Sequence, residues 1–374
     1  MGGIYIHIPY CKQKCSYCNF YFSVSMKTKE EFIFSLLKEI DLNHHYLDRE
    51  KIRTLYFGGG TPSILSTSEL KSIIAEIKKY FVFSEDIEIT IEANPDDINI
   101  DYLKAIKELG ITRFSLGVQS FHDNELKILN RSHDAHKAIC AIEMIKNEGF
   151  KSTNIDLIFG IPGSTITEWR KNLDFFYKLE IPHLSCYNLT IENRTAIYHQ
   201  IKTGKLSRPD DKLGAEMFVF THDYLTSKGY DHYEISNYAI KNNMAIHNTN
   251  YWKGEKYLGL GPSAHSFNGE SRQWNISNVR KYIHDINSGF IPMQEEKLNK
   301  NDMYNEYVMT GLRTKWGVDI KKIESFGDKY KEHFVTISEN YIRNGFIIIK
   351  NDAYILTVKG MLYSDKISSD LFVT

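Results

Sequence analysis

Three thiols stand close together near the start of the chain. Cys11, Cys15 and Cys18 fall within eight residues in CKQKCSYC, a C-x3-C-x2-C spacing. Three thiolates can hold three corners of a cubane iron–sulfur cluster, leaving the fourth iron open to a chelating ligand. Zinc is the competing occupant, because His7, four residues before Cys11, could complete a tetrahedral set. Inert core thiols are a third reading, opposed by the polar Lys12, Gln13 and Lys14 between them. Cys140, beside Ala138 and Ile139, and Cys186, near a strand end, read instead as small buried core residues.

A second set of groups suits a polar small molecule. FGGGTP, residues 57–62, brings backbone close to a ligand because glycine tolerates positive φ. No G-K-[ST] follows, so a nucleoside-triphosphatase loop is excluded. Backbone and carboxylates together would suit an amino-acid ligand. Glu92 and Asp156 match an ammonium and ribose hydroxyls, and Arg131 a carboxylate. Taken singly, each is equally well a capped or salt-bridged residue at a strand end.

The elements that must carry these groups follow from periodicity. β-rich runs at Ile4–Ile8, Thr54–Phe57, Ile87–Ala93, Arg113–Gln119, Asn154–Phe159 and His183–Leu189 alternate with amphipathic helical stretches. The helical stretches are Glu31–Leu42, Ser68–Tyr80, Tyr102–Leu109, Ala135–Lys146 and Glu168–Leu179. Such alternation predicts an α/β fold with a parallel sheet and right-handed crossovers, rolled into a partial (β/α)6 barrel. The cysteines, the glycine run, Glu92 with Asn94, Gln119, Asp156 and Tyr187-Asn188 all lie late on a strand or just beyond it. That is where parallel barrels collect their active sites, so a single shared site is expected.

The barrel is expected over residues 1–193 and an aromatic- and His-rich extension over 194–300. A mostly helical, winged-helix-like domain is expected over 301–374, with the hairpin FIIIKNDAYILT turning at Asn351-Asp352. That domain is not notably basic, and Lys+Arg (46) nearly balance Asp+Glu (47) overall, so nucleic acid is not an expected partner. No apolar run is long enough to span a bilayer, and Met1 leads directly into a strand with no secretory signal. A reducing, cytoplasmic setting is expected.

With these residues assembled, the sequence resembles the radical S-adenosylmethionine proteins, and within them the oxygen-independent coproporphyrinogen III oxidase family. The resemblance runs through YIHIPYCKQKCSYCNF, YFGGGTPS, IEANP, SLGVQSF, Asn130-Arg131, DLIFGIPG and GLGPSAHSF, and so covers nearly the whole chain. It implies a [4Fe-4S] cluster on Cys11, Cys15 and Cys18, whose open iron takes S-adenosylmethionine. It further implies that Tyr5, Gly60, Thr61, Glu92, Gln119, Arg131 and Asp156 line that cofactor and that Tyr17 approaches its adenine. The family's oxidases use the pair for radical decarboxylation of coproporphyrinogen propionates.

Two departures point away from that reaction. The oxidases carry a further cysteine two residues after the cluster motif, where this chain has Phe20, and an N-terminal extension, where four residues precede Tyr5. In their place stands HNTNYW, His247 to Trp252, which resembles the signature of the family's heme-chaperone branch. This branch implies heme as a ligand, with His247 as its iron ligand, and delivery to client proteins, respiratory ones among them. It leaves room for a homodimer and for peripheral membrane contact at most. Taken alone, a histidine beside Tyr251 and Trp252 reads as a hydrogen-bonded core residue. His232, His265 and the pair His44-His45 are expected to be surface or satisfied groups.

Overall fold

A computed structural model describes all 374 residues. Six parallel strands form in chain order: β1 (Gly2–Ile8), β2 (Ile52–Gly59), β3 (Phe83–Ala93), β4 (Arg113–Gln119), β5 (Ser152–Phe159) and β6 (His183–Asn188). Helices connect them, among them Lys29–Leu42, Thr67–Tyr80, Ile100–Glu108, Ala135–Asn147 and Ile166–Lys178. Two of these start with reciprocal capping boxes, Ser66 with Glu69 and Thr165 with Glu168, which satisfy otherwise orphaned N–H groups at the helix start.

The strands alternate with period two, so one set of side chains faces the helices and the other the concave interior. The outward set is apolar: Ile4, Ile6 and Ile8, Leu55 and Phe57, Ile89 and Ile91, Phe114 and Leu116, Ile155 and Leu157, all buried in one core with the helices. Cys186 belongs to this set. The inward set is polar or aromatic: Tyr5 and His7, Thr54 and Tyr56, Glu88 and Glu92, Ser115, Asn154 and Asp156, His183 and Ser185. These residues bond to one another, as in Ser115 to Asp156, Asn154 to Asp156 and His183 to Asn154. Cys140 lies off the buried stripe Ala138–Ala141–Ile142–Ile145 and is half-exposed, its sulfur 3.6 Å from His136, rather than in the core.

Residues 194–300 extend the same sheet at both ends. Strands β7 (Asp231–Glu234) and β8 (Asn237–Ala239) add antiparallel beyond β6. Strand β9 (Tyr257–Leu260) pairs parallel with β1, and β10 (His265–Phe267), β11 (Ser271–Asn275) and β12 (Met293–Lys297) follow antiparallel. The result is a twelve-stranded open sheet with β12 and β7 as its edges. The buried Glu39 ties this extension down. Its carboxylate accepts from the Gly261 N–H at 2.7 Å, the Tyr282 hydroxyl at 2.6 Å and the Asn275 amide.

The C-terminal unit has its own core, including Tyr304, Phe334, Ile347 and Leu356. Its order is helix Lys300–Leu312, β13 (Val318–Asp319), helices Ile320–Ser325 and Asp328–Arg343, then the hairpin β14 (Ile347–Lys350) and β15 (Ala353–Leu356). Asn351 and Asp352 take φ of 51° and 64° at the turn, as a two-residue hairpin with right-handed strand twist requires. No helix is long and apolar enough to cross a membrane.

Replacing Glu39 by Ala leaves the Gly261 N–H and the Tyr282 hydroxyl without an acceptor, each worth about 1–3 kcal/mol, and takes one of two acceptors from the Asn275 amide. Urea denaturation should show a loss of several kcal/mol. Unchanged stability would mean that the carboxylate does not hold the extension.

Candidate cofactor site and adjoining cavity

The loop after β1 carries the thiols, and hydrogen bonds to distant segments fix its shape. Asn130, with φ of 53°, donates its amide to the Lys14 carbonyl at 2.7 Å, while Gln13 donates to the Asn130 carbonyl at 2.9 Å. The Ser16 N–H and hydroxyl donate to the Leu129 and Ile128 carbonyls. Tyr17 packs beside Leu129, Ile158 and Leu189 over the ends of β5 and β6.

Two thiols face donors. The Thr61 hydroxyl lies 3.4 Å from the Cys11 sulfur, and Nη1 of Arg131 lies 3.1 Å from that of Cys15. Nη2 of Arg131 donates to the Gly117 carbonyl at 2.8 Å and to Asn94, which in turn donates to Thr61 at 3.3 Å. Cys11, Thr61, Asn94, Arg131 and Cys15 therefore form one connected network. The buried Nε of Arg131 has no partner. Burial pushes the Cys11 thiol up to about 11, against the Thr61 hydrogen bond.

Gly60 is a cradle. A Cβ there would come within 2.5 Å of the Tyr10 carbonyl oxygen, so only glycine lets β2 approach the cysteine loop this closely. Beneath the rim, Glu92 accepts from the Tyr56 hydroxyl at 2.8 Å and the Gly59 N–H at 3.2 Å. Burial raises its pKa to about 7, with the nearby Asp156 adding to the effect. Asp156 is raised in the same direction by its burial. Gln119 ends β4 with φ of 68°, and its amide approaches Gly117 beside Arg131. Sequence reasoning passed over Tyr56, although the inward phase Thr54–Tyr56–Gly58 marks it.

The hydrogen bonds of two histidines matter for ligands. His7 is not free to complete a zinc set, because Nδ1 meets the Tyr5 hydroxyl at 3.1 Å and Nε2 the Tyr21 carbonyl at 3.2 Å. Both ring nitrogens of His247 are likewise engaged. The residue is 2% exposed, with Nδ1 2.8 Å from Thr54 Oγ1 and Nε2 2.8 Å from the Tyr251 hydroxyl. Glu88 on β3 accepts from the N–H groups of Ile246 and His247, which docks the start of the HNTNYW helix against the sheet. The imidazole then stacks on Tyr56 at 4.9 Å and forms part of the lumen floor.

Beside the rim, between β1, β9–β11 and the C-terminal unit, lies a cavity of about 1340 Å³. Tyr5 and His7 reach it from the barrel, Phe20 and Tyr21 from the cysteine loop, and Tyr251 and Trp252 from HNTNYW. Phe20 is 75% exposed there. The buried indole Nε1 of Trp252 has no partner. Tyr5 belongs to both the lumen and the cavity, so the two sites share a wall.

This open parallel barrel, with three thiols on its first loop, places the chain in the radical S-adenosylmethionine class. A family profile described as "Radical SAM superfamily" matches residues 5–176, and one described as "HemN C-terminal domain" matches residues 298–363. Heme chaperone HemW of Bacillus subtilis is 32% identical over 98% of each chain. HemW of Haemophilus influenzae is 33% identical over 100% of this chain and 98% of its own. The chain belongs to the HemW heme-chaperone family within the radical S-adenosylmethionine superfamily. The solved coproporphyrinogen III oxidase (HemN) of Escherichia coli shares its fold, with a TM-score of 0.86 at 24% identity, covering 99% of this chain and 90% of that one.

Two outcomes test this geometry. Gly60→Ala should force the cysteine loop off β2 and cost about 1–3 kcal/mol. Faster alkylation of Cys11 would report the displacement, and an unchanged rate would deny the cradle. Glu92 has a folded pKa raised from the usual 4.5 to about 7, so its stability penalty is absent below pH 4.5 and grows as pH rises toward 7. Glu92→Gln should therefore gain on the parent by up to about 3 kcal/mol between pH 5 and pH 8. A pH-independent difference in urea denaturation would show that Glu92 is ionised normally.

Proposed function

We propose that this protein is a cytoplasmic heme chaperone. It carries a [4Fe-4S] cluster on Cys11, Cys15 and Cys18, takes S-adenosylmethionine at the mouth of the polar lumen and holds heme in the adjoining cavity. The observation that carries the reading is the shared wall at Tyr5. On one side lies a polar mouth with three thiols, and on the other an aromatic cavity of about 1340 Å³, ample for a tetrapyrrole.

The donor set fits the first two groups. Three thiols on one loop suit three corners of a cubane, and His7, the candidate fourth ligand of a zinc site, is hydrogen-bonded through both ring nitrogens. The Thr61 hydroxyl and the Arg131 guanidinium are placed to offset thiolate charge at Cys11 and Cys15. Glu92 and Asp156 would take the ammonium and ribose hydroxyls of S-adenosylmethionine, with Gly60 and Gln119 on the rim and Tyr17 against the adenine. The free Nε of Arg131 suits a carboxylate. A cluster of this kind supplies one-electron chemistry when bound, and this chain's residues hold it, shield it and neutralise its ligands.

The cavity fits an amphipathic dianion. Aromatic faces cover its inner walls, while Arg194, Lys253 and Lys322 reach it without carboxylate partners. Glu306, the one acidic residue of the lining, is taken by Arg272. Phe20 reaches into this space where the oxidases place an additional cysteine, which supports holding a tetrapyrrole over converting one. Heme-requiring proteins, respiratory ones among them, are the clients of this reading.

The test is an anaerobic heme titration of the cluster-reconstituted protein, with coproporphyrinogen turnover assayed on the same sample. Saturable, stoichiometric growth of the Soret band without porphyrinogen consumption is expected. Turnover of coproporphyrinogen together with no saturable heme binding would make the protein a decarboxylating radical enzyme.

A further inference from the structure

The engagement of His247 and His7 leaves the iron of the cargo without an evident protein ligand. One other histidine faces the cavity. His265 opens β10, and strand alternation places it on the same face as Phe267, with Ser266 turned into the core to bond Gly259. Directly across the ladder it pairs with Trp274 on β11. The two rings stack with centroids 6.1 Å apart at 25°, which orients the imidazole without occupying its nitrogens.

Nothing in the fold hydrogen-bonds that ring. Burial and the neighbouring Arg272 push its pKa down, and no acceptor or donor engages either nitrogen. An accessible neutral imidazole with both nitrogens free is the form that binds heme iron. Arg272 itself is fixed by Glu306 and the Tyr257 hydroxyl, so it sets the local charge without blocking the ring.

We propose that His265 supplies the axial ligand to heme seated in this cavity, oriented by Trp274, with Arg194, Lys253 and Lys322 meeting the propionates. His247 is then a positioning residue, which holds Tyr251 and Tyr56 and with them the walls on either side of Tyr5. This rests on the reading of the cavity as a heme site.

Wild type, His265→Ala, His265→Tyr and His247→Ala are titrated with ferric heme, with Soret position, electron paramagnetic resonance and thermal midpoint recorded for each. His265→Ala should weaken heme binding at least about tenfold and shift the Soret band, with wild-type spectra restored by added imidazole. Its thermal midpoint should stay near that of the parent, because the ring makes no hydrogen bond to lose. His265→Tyr should bind heme with a phenolate signature. His247→Ala should keep the wild-type heme spectrum while lowering the thermal midpoint, since Thr54 and Tyr251 lose their partner. The inference is overturned if wild type binds heme and His265→Ala keeps its spectrum and affinity, or if imidazole rescue is seen only in His247→Ala. Absence of heme binding by the wild type would overturn the heme reading itself, and this ligand with it.

Discussion

A barrel strand has two faces, and in this protein they obey opposite rules. Most parallel strands are apolar on both sides because both are covered. Here the outward positions are apolar and pack under helices, while the inward positions bring Tyr5, Thr54, Tyr56, Glu88, Glu92, Asn154, Asp156 and His183 into the concave interior. Polar groups taken from water must find partners there or cost several kcal/mol each. Much of the remaining architecture supplies those partners.

The HNTNYW helix is an instance. Glu88 would be a buried charge facing nothing, and instead it receives the N–H groups of Ile246 and His247. Thr54 receives the imidazole, and the same ring passes its second nitrogen to Tyr251. His183 likewise finds the Tyr233 hydroxyl at 2.7 Å from the segment that forms β7. The extension over 194–300 thus completes the floor of the barrel, while its strands β9–β11 build a wall of the cavity. The upper part of the lumen is left incomplete. Glu92 and Asp156 keep raised pKa values, and Arg131 keeps a free buried nitrogen. Stability is given up where a charged, polar ligand would restore it.

The six barrel strands and the cysteine loop were legible in sequence because their signals are local. Period-two runs between amphipathic helices fix the strands, and a three-cysteine spacing on a polar loop is visible without any tertiary knowledge. The edge strands were not legible. Strands β7, β8 and β10 are three or four residues long, so periodicity has too little length to register, and only the pairing of β8 with β6, about fifty residues back, joins β7 and β8 to the barrel. The environments of the histidines were not legible for a related reason. Motif position singled out His247, but what decides a ligand is whether its nitrogens are free, and the partner Thr54 lies 193 residues away. His265 sits in GLGPSAHSF with no local mark of function. Its exposure to the cavity follows only from the pairing of β10 with β11.

The central claim is that three thiols hold a cluster whose fourth iron opens onto the carboxylates of the lumen. Mössbauer spectroscopy of the 57Fe-reconstituted protein, with and without S-adenosylmethionine, tests it most directly. The account predicts a cubane in which one iron site alone changes its isomer shift and quadrupole splitting when S-adenosylmethionine is added, a change lost in Glu92→Gln with Asp156→Asn. Iron that never assembles into a cubane, or a cubane whose sites all stay unchanged by S-adenosylmethionine, would contradict it.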